Sequence, residues 1–130
     1  REAFLLIHAF FKRHAPGRDA TRKLTIAAFK LEHDIANLHN FLLRQNYQFM
    51  WAHLNSARIE ISSFAAVSLQ LKYIRQGKKF EMKNQKLVAF CELFGIEVDK
   101  RERHFAPYDN MLAIRVFEES LNLLLNNRLW

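Results

Sequence analysis

Between Leu24 and Leu42 the apolar residues Leu24, Ala28, Leu31, Ile35, Leu38 and Leu42 recur at spacings of 4, 3, 4, 3 and 4. That period lays one stripe along a helix and buries it against neighbours. It predicts a helix from Asp19 or Thr21 to Arg44. A second seam, Ala52, Ser56, Ile59, Ser63, Ala66, Gln70 and Tyr73, predicts another from Gln48 to Gln76. Its small residues would let a neighbouring backbone approach closely, and a kink is expected near Ser62-Ser63. Gln45-Asn46-Tyr47 is the short turn between the two, which makes a long helical hairpin.

Three shorter helices flank this hairpin. One spans Glu2 to Arg13 around Phe4, Leu5, Phe10 and Phe11, and Ala15-Pro16-Gly17 stops it. Gly77 ends the long third helix. A fourth runs from Phe80 to Phe94, and Gly95 followed by Ile96 resembles a Schellman ending. After a loop over Glu97 to Tyr108, Asp109 reads as the N-cap of a fifth helix with Ile114, Phe117, Leu121 and Leu124 as its stripe. The expected fold is all-α, an antiparallel helix bundle of about five helices with a long central helical hairpin, as a single domain over 1–130.

Composition supports a packed chain. Half of the 130 residues are apolar, a quarter are charged, and there are only three Gly and two Pro. Scarce Gly and Pro disfavour a turn-rich all-β fold or a disordered tail. The apolar run Ala3 to Ile7 is too short to span a membrane, which takes about 20 residues, and it lacks the cleavage site of a secretory signal. Cys91 is the only cysteine, so no intrachain disulfide can form. The expected compartment is a reducing cytoplasm.

Charge changes the picture more. The net charge is +7. Residues 1–24 carry Arg1, Lys12, Arg13, Arg18, Arg22 and Lys23 against Glu2 and Asp19, and residues 72–86 carry Lys72, Arg75, Lys78, Lys79, Lys83 and Lys86 against Glu81 alone. In an antiparallel bundle with short connections these segments converge at one pole, joined by Arg128. A one-sided basic surface is the footprint of phosphate binding. Arg22, Lys23, Lys79 and Lys83 are the foremost expected contacts, with Tyr73 and Phe80 placed to stack on bases. The alternative partner is an acidic protein, and lysines near helix C-termini also simply suit the macrodipole.

Candidate chemistry is thin. Across the expected hairpin His39 would face His53, and Glu32 would face Glu60. Glu32 and His39 are seven residues apart, about 10 Å of rise, too far for one ion. A polar network is therefore expected, without metal or cofactor. Arg1 and His8 meet the Arg-to-His spacing of one class of helical ribonucleases in spacing only, and His8 reads as a core-edge residue. Cys91, among apolar neighbours and beside Glu92, reads as an inert thiol. Trp130 at the end of the chain is a candidate subunit contact. The expectation is a non-enzymatic nucleic-acid-binding accessory subunit. A protein-interaction module is the alternative, and a helical ribonuclease comes behind both.

Overall fold

The computed structural model describes residues 1–17 and 22–126. The roles expected of Arg18, Arg128 and Trp130 lie outside them. Along the described residues the order is α1 (Glu2–His14), β1 (Leu24–Ala28), α2 (Leu31–Arg44), α3 (Met50–His53), β2 (Leu54–Glu60), α4 (Ile61–Arg75), α5 (Leu87–Leu93) and α6 (Ala106–Asn126). The chain divides into two compact units, Arg1–Ile59 and Glu60–Trp130.

The all-α expectation is wrong. β1 and β2 pair as a two-stranded parallel sheet, so the fold is mixed α and β. A parallel pair cannot be joined by a tight turn; here α2 and α3 form the crossover. The long central hairpin is therefore absent. Its first arm is a strand, a turn and α2, and its second arm is α3, β2 and α4. In β1 the side chains alternate between half-buried and exposed: Leu24, Ile26 and Ala28 face inward. β2, Leu-Asn-Ser-Ala-Arg-Ile-Glu, has little strand propensity of its own and owes its conformation to pairing with β1.

The first unit is built on α2. Leu31, Ile35 and Leu42 are buried with Phe11 of α1, Met50 of α3 and Leu54 of β2, and Leu24, Ile26 and Leu38 pack against that cluster. The 31–44 part of the expected seam thus faces the core as read. The turn after α2 is a Schellman motif on Asn46, whose φ is +59°. The Tyr47 amide donates to Leu42 O at 2.9 Å and the Asn46 amide to Leu43 O at 2.9 Å.

The second unit packs α4, α5 and α6 together. The buried face of α4 is Ile61, Ser62, Ala65, Ser68 and Leu69, one residue back from the expected seam. It meets Leu112, Ala113, Val116 and Ser120 of α6. Ile114 and Leu121, expected in the stripe of that helix, are exposed. Small residues bring the helices close, and their hydroxyls are satisfied locally: Ser68 Oγ donates to Phe64 O at 2.8 Å and Ser120 Oγ to Val116 O at 2.6 Å. Gly77 (φ +66°) and Gly95 (φ +68°) close α4 and α5 as Schellman motifs, with Lys78 N–H on Tyr73 O and Ile96 N–H on Cys91 O. α6 begins at Ala106, before Asp109, because Pro107 is tolerated in a first turn where its missing N–H has no helical partner.

Candidate nucleic-acid interface

Segment 72–86 leaves α4 at its basic last turn, reverses at Gly77 and runs without regular structure to α5. Two devices hold this irregular stretch. Phe80 folds back onto Tyr73, with ring centroids 4.7 Å apart and planes 24° off parallel. Asn84 Oδ1 accepts the Lys86 amide at 2.9 Å, an Asx turn leading into α5. The two aromatics expected to stack on bases therefore stack on each other, and both are half-buried. Arg75, Lys78, Lys79, Lys83 and Lys86 are exposed, while Lys72 is half-buried. Lys79 sits 3.3 Å from Glu81, but both side chains are largely in solvent, where such a pair is worth little.

The other basic segment belongs to the first unit. Lys12 and Arg13 are exposed on the last turn of α1, where cations suit the helix C-terminus. Arg22 is exposed and Lys23 half-buried. Lys23 Nζ donates to Trp51 O at 3.1 Å, which ties it to the backbone and weakens its claim as a phosphate contact. Convergence of the two basic segments requires the antiparallel hairpin that β1 and β2 replace, and each segment belongs to its own unit.

The histidines fall differently from their expected places. His39 lies beside Trp51, ring centroids 6.2 Å apart, and Trp51 carries the Arg58 guanidinium at 4.9 Å over its ring. His53 is buried in a separate cluster. Its Nδ1 lies 2.6 Å from Ala15 O, and its Nε2 is hydrogen-bonded to Tyr47 Oη. A carbonyl can only accept, so Nδ1 carries the proton and donates. In the neutral ring Nε2 then accepts from the Tyr47 hydroxyl. Phe11 stacks on the ring at 4.9 Å and 15°. A Cβ at Gly17 would lie 3.2 Å from His53 Cε1, and Gly17 itself has φ +87°, so this close approach needs glycine. His8 is half-buried at the rim, edge-on to Tyr47 at 5.2 Å, the core-edge place expected of it. Glu60 accepts from Ser63 Oγ at 2.5 Å. Among the described residues no three His, Cys, Asp or Glu are grouped to hold a metal.

Burial pushes the Tyr47 phenol above its ordinary 10.0. Because the folded value exceeds the unfolded one, ionisation favours unfolding. The contribution is complete below pH 10 and is lost as pH climbs through the folded value. Absorbance at 295 nm, taken as the difference between the parent chain and Tyr47→Phe, should show Tyr47 ionising above its ordinary 10.0, together with loss of near-ultraviolet dichroism. A Tyr47 difference titration at the ordinary 10.0 with the fold intact would refute this. Cys91 is fully buried, and desolvation, with a smaller push from Glu92, raises its thiol against the lowering effect of Arg115 and a backbone hydrogen bond. Burial and a raised thiol are the surroundings expected of an inert cysteine. Asp99 is held below the usual carboxylate range by Arg101, whose guanidinium and backbone amide both donate to it.

No known protein family, curated protein or solved structure matches this chain. No helix among the described residues is long and apolar enough to cross a membrane.

Proposed function

We propose that this chain is a non-enzymatic nucleic-acid-binding subunit that lays segment 72–86 on a phosphate backbone. The observation that carries the reading is the exposure of Arg75, Lys78, Lys79, Lys83 and Lys86 on a stretch whose only acid is Glu81. Lysines on an irregular loop give point contacts to phosphate without a fixed grid of donors, which favours affinity over sequence readout. A cytoplasmic setting fits a lone buried thiol.

Gel shift with random-sequence RNA and DNA at low salt tests the proposal. Five phosphate contacts imply a slope of log affinity against log salt of about −4.5 on duplex DNA and about −3.5 on single strands. Replacing Lys78, Lys83 and Lys86 together with glutamate should abolish retention at 0.1 M salt while leaving the far-ultraviolet spectrum unchanged. Absence of retention on either polymer at 0.05 M salt sinks the reading, and so does a triple variant that binds as well as the parent.

A further inference from the structure

The first unit carries an apolar groove of about 530 Å³, lined entirely from residues of that unit. One wall is four consecutive residues of β1, Leu24, Thr25, Ile26 and Ala27. Successive strand residues point to opposite faces, and here Leu24 and Ile26 turn inward while Thr25 and Ala27 are exposed. A wall made from both faces is a strand met along its edge. Among the described residues β1 has a strand neighbour on one side only, β2. Its other edge presents a row of amides and carbonyls without a strand partner, a template for an added strand. The facing wall is α1, where Leu6 is 69% exposed and Phe10 51% exposed. Side chains of that size are left in solvent at a recognition surface more readily than elsewhere.

Charge selects the occupant. Leu6, Phe10 and Arg13 follow one another at spacings of 4 and 3 on α1, so the exposed guanidinium continues the stripe that walls the groove. Lys12 is exposed beside it. The whole first unit carries nine Lys and Arg against four Asp and Glu.

We propose that this groove docks an extended, apolar peptide segment of an acidic partner protein, which adds as a strand on the free edge of β1, lies against Leu6 and Phe10, and sets a carboxylate against Arg13. Five residues of β1 offer about 17 Å of edge, enough for a segment of four to six residues. Main-chain pairing supplies affinity here, and the apolar wall and the guanidinium supply selection. The site is independent of segment 72–86, which lies in the other unit.

The probe is a fluorescein-labelled hexapeptide of alternating valine and glutamate, followed by anisotropy with the full chain. Saturable binding is expected. Leu6→Glu with Phe10→Glu should weaken it at least tenfold without altering the far-ultraviolet spectrum, since both side chains are exposed. Methylating alternate peptide nitrogens should weaken it as much, because strand addition needs those amides. Arg13→Glu should weaken the valine–glutamate peptide several-fold and favour a valine–lysine one. Equal binding by the double variant or by the methylated peptide overturns the proposal. So does an unchanged charge preference in Arg13→Glu, or direct binding of palmitate by a chain that does not bind the peptide.

Discussion

Replacing His53 with alanine is expected to lower stability by about 3–5 kcal/mol, measured as the shift in urea midpoint at constant m. Two terms add. The first is a cavity where a buried ring stood stacked on Phe11. The second is desolvation without compensation: Ala15 is fully buried, so its carbonyl loses its donor at about 1–3 kcal/mol. Tyr47→Phe removes only the hydroxyl and should cost about 1–2 kcal/mol. In the double variant the two losses should fall short of additivity, because the hydroxyl has no imidazole left to bond. A loss below 1 kcal/mol in His53→Ala, or strict additivity, would show that the Ala15–His53–Tyr47 chain does not lock the end of α1 to the turn after α2.

That chain was invisible in the sequence for a physical reason. Ala15 lies past a helix end, Tyr47 in a turn and His53 in a one-turn helix, so no periodicity joins them. Only tertiary closure brings the carbonyl and the hydroxyl onto the two ring nitrogens. Gly17 offered a partial signal. A glycine after Pro16 was readable as a helix stop, but not as the surface on which an imidazole rests.

The strands were missed for a different reason. Residues four apart share a face on a helix and on a strand alike, so Leu24 and Ala28 satisfied both patterns. Ile26 is the discriminating position: on a helix it falls off the stripe, on a strand it joins it. With the β-branched Thr25 and Ile26 it carried the strand signal, and the long seam through Leu31 and Ile35 overrode it. β2 had no such signal, since Asn55, Ser56, Ala57 and Arg58 alternate in neither period. α1, the 31–44 stretch of α2, the extent of α4 though not its buried face, the helix stop at Gly77 and the Schellman ending at Gly95 were legible because caps and stripes are local. The basic segments were legible as composition. The chain path expected to bring them together was not, because the strands replace the hairpin it needed.

In the second unit, Phe90→Ala is expected to cost about 3–5 kcal/mol and to open α5. Phe90 is fully buried, and truncation of a buried phenylalanine costs that much through lost transfer energy and cavity. α5 spans only seven residues, too short to persist as a helix in water without packing. Cys91, beside Phe90 and fully buried itself, reports the opening directly. Its thiol is raised by desolvation in the folded unit, so labelling by a disulfide reagent requires exposure first. Each 1.4 kcal/mol of lost opening energy multiplies the exposed population about tenfold, so labelling should accelerate at least a hundredfold when opening is fast relative to reaction. An unchanged labelling rate would mean that α5 is held by something other than Phe90. The same variant separates stability from binding. Segment 78–86 ends where α5 begins, and its contacts on the α4 side, the Gly77 turn and the Tyr73–Phe80 stack, do not include Phe90. Nucleic-acid retention should therefore persist in Phe90→Ala at temperatures where the unit remains folded, and fail together with the unit when it melts.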